Sequence, residues 1–329
     1  MRRLPRGSVL SWHRIHPAEW LWWLIAVLVF LLLPQYLAIG TLVLIMVLFA
    51  LSFDLLLGFA GVLTLGHAVF FGIGAYTAGW LALAGWNEPV TGAVIGGAAS
   101  ALVAAILGPL LLRLRGLPLI MVTLALGAMF FEGASKAVWL TGGDDGLPGI
   151  QIAPLFGLFR WGLRGHVKYL YVLGWLFLLT YLARRLVASP FGVTLQGIRE
   201  NADRMRLIGI PVLLHLVIAF AISAGVAGIA GALLTQTQAF VSLNVVNLEL
   251  AIDVLVMLVL GGIGSLYGGF VGAPVYMLVK HFAQQWNPFY WMIFIGLLLI
   301  AVVRLGRGGL LGAGKQVVAR LSRAAATTP

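Results

Sequence analysis

Residues 37–57 read LAIGTLVLIMVLFALSFDLLL, an apolar run interrupted by one charge, Asp54. A membrane-crossing helix needs about 20 consecutive apolar residues, and this run supplies them. Similar runs lie on both sides. They predict spans over about 20–36, 37–57, 61–85, 90–112, 117–139, 168–184, 212–236, 250–264, 266–286 and 289–304. The eighth is short and runs into glycines, which reads as a broken helix. Composition agrees: 61% of the 329 residues are hydrophobic and 9% charged, against about 45–50% and 25% in soluble domains. A soluble domain or a disordered chain is excluded. The fold class is therefore all-α, a polytopic helical membrane bundle of about ten transmembrane segments with glycine-broken helices. No cysteine is present, so disulfides, thiolate metal sites and cysteine nucleophiles are ruled out.

The net charge of +11 raises the question of nucleic acid. The placement of the charges answers it. With a cytoplasmic N-terminus, 16 of the 21 lysines and arginines fall on inner segments: the first residues, 113–115, 184–206 and 304–323. Arg160, Arg164 and Lys168 fall outside, and Lys136 and Lys280 lie near outer span ends. This asymmetry orients both termini inward and needs no nucleic acid. The start, Met1-Arg2-Arg3 before an apolar run, resembles a signal peptide but reads as an uncleaved first span. Residues 1–17 form a cytoplasmic N-terminal segment, 18–305 the transmembrane domain, and 306–329 a flexible basic cytoplasmic tail. Two loops are long enough to carry function, an external one at about 140–167 and a cytoplasmic one at about 185–211.

Two glycine clusters stand out. GFAGVLTLGHAVFFGIGAY at 58–76 includes Thr64, Gly66, His67 and Tyr76, and LGGIGSLYGG at 260–269 includes Ser265. Irregular backbone survives at membrane depth only against protein or a water-filled cavity. A broken helix there aims N–H groups at a passing anionic group. The plainer reading, close helix packing with His67 bonded to a carbonyl, stays open. The pairs Gly92/Gly96, Ala224/Gly228 and Ala227/Gly231 read as helix contacts. At an offset of 200 the clusters echo one another, with Gly61/Gly261, Phe70/Phe270, Gly72/Gly272 and Tyr76/Tyr276. Intramembrane charges are few: Asp54, Asp253, and the pair Glu132 and Lys136 at helical spacing. Any of them is a candidate for a solute path.

In the cytoplasmic loop, 194–208 predicts a short helix stopped by Gly209 and Pro211, with Ile198, Met205 and Ile208 along one side. Such a helix suits docking to a soluble partner, or is a solvated connector. GLLGAGK at 309–315 imitates a phosphate loop, but Gln316 stands where Ser or Thr would hold magnesium and no strand precedes it. No zinc spacing, nucleophile elbow or catalytic carboxylate pair is present. The chain therefore binds no cofactor of its own. Besides a membrane enzyme, the classes left by residues alone are a permease driven by other subunits and a self-sufficient channel or ion-coupled carrier.

The motifs in order narrow this choice. MVTLALG at 121–127, TGGDDGLPGI at 141–150, SPFGVTLQGIRENADRMRLIGI at 189–210, AFAISAGVAGIAGAL at 219–233 and VLGGIGSLYGGFVGA at 259–273 join the first cluster in a pattern that resembles the LivM-type permease of bacterial ABC importers for branched-chain amino acids. The resemblance covers roughly 35–312. It implies an inner-membrane, multi-pass subunit that imports leucine, isoleucine and valine. It implies as partners a homologous second permease of the LivH type, two ABC ATPase subunits that use ATP and Mg, and an external or periplasmic solute-binding protein. It assigns ATPase coupling to Gly192, Arg199, Glu200, Asn201 and Gly209. Gly66 and His67 match an SLGH-like element of the family, with Thr64 in place of Ser; with Tyr76, Glu132 and Ser265 from the residue reading they make up the expected substrate path. The chain departs from the family at Ala128 and Phe130, where an acidic and a basic residue are usual, and Glu132 and Lys136 lie one helical turn on. Relatives of this family import urea, short amides and aromatic acids, so the substrate is the point the departures touch.

Overall fold

A computed structural model describes residues 17–32, 34–155, 159, 161, 165–286, 293, 295–297, 299, 300 and 309–312. The N-terminal segment, most of the 289–304 span and most of the basic tail lie outside the described residues, as does the phosphate-loop look-alike beyond residue 312.

The described chain is helical, with two isolated β-bridges, Leu147 with Val241 and Leu155 with Phe159. In order run α1 (Pro17–Leu32), α2 (Leu37–Asp54), α3 (His67–Leu83), α4 (Pro89–Leu111), α5 (Leu117–Lys136), the short α6 (Val138–Thr141), α7 (His166–Ala188), α8 (Pro190–Leu207), α9 (Val212–Gln238), α10 (Leu248–Gly261) and α11 (Gly268–Trp286). Pro34–Phe59, α4, α5, α7 and α9 are each long and apolar enough to cross a membrane. The third and eighth spans are shorter than the apolar runs predict. The third begins at His67 rather than 61, and the eighth ends at Gly261, because a glycine cluster replaces helix at each of those ends.

These helices are apolar on every side, so hydrophobic periodicity does not choose their contacts. Small residues choose them. α3, α4 and α9 pack so closely that a Cβ on Gly74 would enter the backbone of Gly228, one on Gly231 would enter the carbonyl of Phe71, and one on Gly96 would lie 2.9 Å from the carbonyl oxygen of Gly74. Dispersion and hydrogen bonds, not water, drive such packing in lipid. Hydroxyls stitch the same seam: Ser100 donates to the carbonyls of Phe70 (2.8 Å) and Gly96 (3.0 Å), and Thr235 to that of Ala75 (3.0 Å). The small-residue pairs of the sequence are thus helix contacts.

α2 is the buried axis; 83% of its span is buried. α1 lies on the outside, fastened by Trp22 Nε1 donating to the carbonyl of Phe270 (2.6 Å) and by Tyr169 donating to that of Ala26 (2.8 Å). At the outer end the carbonyl of Pro89 accepts from Tyr171 (2.9 Å) and Gln236 (2.7 Å), and Lys168 donates to that of Thr237 (2.7 Å). These bonds gather the ends of α4, α7 and α9 that the charge map places outside. The opposite ends meet α8, where Arg115 pairs with Asp203 at 3.5 Å.

Candidate functional site

Both glycine clusters are breaks in helical structure, and they touch. After α2 the chain makes a π-helical turn, Leu55–Phe59, and then runs irregularly to Gly66, the residue before α3. Gly61 takes φ +73°, a left-handed conformation that suits glycine. After α10 the chain turns through Gly262, Gly264 (φ +76°) and Leu266 (φ +56°) before α11. The turn is closed by Ser265 donating to the carbonyl of Gly262 (2.8 Å). Asp54, fully buried at the end of α2, joins the two breaks. One of its carboxylate oxygens accepts from the N–H of Gly264 (2.6 Å) and the other from that of Leu266 (2.9 Å). The approach leaves no room for a side chain at Gly58, where a Cβ would lie 2.7 Å from the Cα of Gly264. Each break links an inward-running helix to an outward-running one, so the repeat echo marks equivalent places in two hairpins. Phe70 and Phe270 are both buried. Tyr276 donates to Asp253, which also pairs with Lys280 at 2.7 Å.

Two cavities open beside the first hairpin. The larger, about 810 Å³ and partly open, lies between α3 and α5 under α6. Its wall is mostly apolar, with Tyr76, Trp80, Met129, Phe130, Leu140 and Val246 prominent. The Tyr76 hydroxyl, enclosed by protein, has no hydrogen-bond partner. The smaller, about 240 Å³, shares Val69 and Val246 with the larger and includes Glu132. The start of α3 (Gly66, Ala68) and the start of α10 (Asn247, Leu248) both lie in its wall. Helix starts present unsatisfied N–H groups and a partial positive charge. α5 encloses both cavities while packing lightly; only 11% of its span is buried. It is seated on the first break, where Leu65 N–H donates to Thr123 Oγ1 (3.2 Å) and a Cβ on Gly66 would lie 2.6 Å from the Thr123 carbonyl oxygen. Above the larger cavity the TGGDDG stretch forms a turn, with Thr141 donating to the carbonyl of Ala134 (2.5 Å) and Ser135 to Asp144 (3.1 Å).

The structure divides the residues read as a substrate path. Tyr76 lines the larger cavity, and Gly66 and Glu132 the smaller. Glu132 pairs with Lys136 at 3.0 Å and both side chains are largely exposed. His67 is not in either wall. It is fully buried against α2, ringed by Phe49, Phe53 and Phe70. Its Nε2 lies 3.1 Å from Ser52 Oγ, which itself donates to the carbonyl of Phe49 (2.6 Å). The hydroxyl proton is thereby used, so the imidazole proton belongs on Nε2 and Nδ1 is left without a partner. Thr64 is buried with its hydroxyl unpartnered, and Ser265 serves the second break. Thr123, which holds α5, and Ser52, which holds His67, were not singled out. Thr123 was visible only as part of MVTLALG.

The cytoplasmic helix forms as expected but in two pieces. Ser189 caps the first, accepting from Gly192 N–H (3.4 Å). Gly192 is buried where α7 turns into α8, and a Cβ there would enter the carbonyls of Leu186 and Val187. Asn201 is extended, and its Oδ1 accepts from Arg204 N–H (2.9 Å). It therefore caps the second piece. Gly209, at φ +87°, ends it. Ile198 is buried and Met205 packs over Gly197. Ile208 does not share that side as the periodicity predicts; the break at Asn201 turns it out, and Leu207 and Ile208 are exposed. Glu200 is exposed. Arg199 reaches back into the membrane domain, donates to the carbonyl of Gly58 and lies over Gly61.

The family described as "Branched-chain amino acid transport system / permease component" matches residues 35–303. The chain belongs to this family. The match begins just before α2 and takes in both broken hairpins, the cavities and α8. Similar curated proteins are the high-affinity branched-chain amino acid transport system permease proteins LivM of Salmonella typhimurium (strain LT2) and Escherichia coli (strain K12). Each is 28% identical, over 291 and 290 residues, covering 80% of this chain and 67% of the relative. No solved structure matches the chain. The chain is a multi-pass membrane protein and a permease component, one part of a transport system.

Proposed function

We propose that this chain is the permease subunit of an ATP-driven importer that moves leucine, isoleucine and valine inward across the bacterial cytoplasmic membrane by alternating access. The observation that carries the substrate class is the pair of neighbouring cavities, which share Val69 and Val246. An aliphatic amino acid needs an apolar wall for its side chain and a few groups for its charged ends. The larger cavity offers the wall. In the smaller one the starts of α3 and α10 suit a carboxylate, and Glu132 suits an ammonium group. Ala128 and Phe130, where the family usually has charges, lie in these walls and make them more apolar. Tyr76 lines the wall, with its unpartnered hydroxyl enclosed behind it. Thr64, His67 and Ser265 support the path by shaping the breaks.

The energy comes from elsewhere. Two ABC ATPase subunits, using ATP and Mg, dock on the second piece of α8, where Leu207 and Ile208 are exposed beside Arg204 and Arg206. Gly192, Arg199, Glu200, Asn201 and Gly209 shape or carry that coupling surface. A homologous LivH-type permease covers α5, which packs so lightly on its own chain. A periplasmic solute-binding protein delivers substrate to the external loop. The test is reconstitution in liposomes. Labelled leucine should enter only with the partner permease, ATPases, binding protein and ATP present, and isoleucine and valine should compete better than urea or phenylalanine. Uptake by this chain alone, without ATP, would show a self-sufficient carrier instead.

A further inference from the structure

We propose that Asp54 is a positioning residue that ties the cytoplasmic helix to the α10–α11 hairpin, so that movement of α8 is passed to both broken hairpins at once. This rests on the importer reading above. The links are short and continuous. Arg199, in the first piece of α8, donates to the carbonyl of Gly58 and covers Gly61. Gly58 lies one helical turn from Asp54, with no space between Gly58, the Asp54 carboxylate and Gly264 for even a methyl group. The carboxylate then holds the N–H groups of Gly264 and Leu266 at 2.6 and 2.9 Å.

Leu266 is held in a left-handed conformation, φ +56°, with its side chain buried. A bulky residue there is strained and persists only where its surroundings dictate it. The bond from Asp54 is one of those surroundings. Beyond the turn the hairpin is braced as a unit, since Asp253 on α10 takes bonds from Tyr276 and Lys280 on α11. A pull on Arg199 therefore reaches α3 through the first break, and α10 with α11 through the joint where Asp54 holds Gly264 and Leu266 and the Arg199 guanidinium lies against Gly264. A buried carboxylate is expensive in lipid. Packing alone does not call for one; a grip on two backbone N–H groups from a segment 210 residues away does.

The experiment uses the full reconstituted complex and reads ATP hydrolysis and leucine uptake together. Asp54→Asn keeps the shape but turns one acceptor into a donor facing an N–H. It should assemble, keep at least about half of the ATPase rate, and lose about tenfold or more in leucine moved per ATP. Arg199→Gln removes the other end of the chain of contacts and should lower the same ratio. Because the two act at one joint around Gly264, the double variant should be no worse than the poorer single one. An unchanged ratio in Asp54→Asn overturns the proposal, as do losses that multiply in the double variant. If Asp54→Asn does not assemble, Arg199→Gln decides: it should assemble, keep at least about half of the ATPase rate and move about tenfold less leucine per ATP, and an unchanged ratio overturns the proposal. Uptake by the wild-type complex without ATP would overturn the importer reading itself, a result distinct from any of these.

Discussion

α2 and α5 are both long apolar helices of the same bundle, yet 83% of one span and 11% of the other is fully buried. Their sequences do not announce the difference. α2 is surrounded by α7, α9, α10 and α11, and its polar groups are all spoken for: Thr41, Ser52 and Asp54 each have partners. α5 stands off from α3, held mainly at its inner part through Thr123 and at its outer part through α6, and the space between is the large cavity. A filled interface leaves no room for a ligand, and the space beside α5 is the room that the proposed path needs. The comparison thus separates a helix locked into the core from one that borders open space.

Substitutions can break that division. The largest effect is expected at the close seam. Gly231→Leu drives a side chain into the carbonyl of Phe71; overpacking costs about 1–3 kcal/mol in a core that can relax, and backbone against backbone cannot. Expression or detergent melting temperature should collapse, and a normally stable variant would mean that α3 and α9 do not meet there. Next comes His67→Ala, which empties an aromatic cage and removes a partner from Ser52. It should destabilise by about 2–4 kcal/mol with no selective change in substrate affinity. If instead the protein melts normally and only leucine uptake shifts, His67 faces the path after all.

Thr123→Ala removes one acceptor from the seat of α5 and should cost about 1 kcal/mol. Hydrogen exchange is expected to rise in α5 and the 60–66 loop before anywhere else, and uniform exchange would argue that α5 is anchored elsewhere. Tyr76→Phe deletes a hydroxyl that has no partner in the resting protein. Stability should be unchanged, while the leucine concentration for half-maximal uptake rises about three- to tenfold if the hydroxyl meets solute. Equal kinetics for both proteins would remove Tyr76 from the path. The smallest effect belongs to Leu117→Ala at the exposed start of α5, within about 0.5 kcal/mol for the isolated chain.

Much of the architecture was legible because lipid imposes a length on apolar runs. The spans within a few residues and the turns at 34–36 and 87–89 could be read directly, whereas the start of α3 at His67 could not, because the glycine cluster before it reads equally as close packing or as a break. The Gly92/Gly96 and Ala227/Gly231 pairs could be read as contacts because small residues at that spacing have few other uses in a bundle. What could not be read is partnership across the chain. Nothing near Asp54 in sequence points to Gly264 and Leu266, and nothing near Gly58 points to Arg199. His67 looked like a path residue because an intramembrane histidine is rare, and only its ring of phenylalanines shows that it faces α2. The break in α8 was hidden because its residues suit a continuous helix; Asn201 gains its meaning from the bond to Arg204.

That break divides labour in a way that bears on how such assemblies diverge. The stretch before Asn201 is fitted to the bundle through Gly192, Ile198 and Arg199, so changes there must be matched inside the lipid. The stretch after it touches its own chain through Asp203 and Met205 and presents Arg204, Arg206, Leu207 and Ile208 outward. Those four outward residues can change with little consequence inside the lipid, whereas a change at Gly192, Ile198 or Arg199 has to be answered by the bundle.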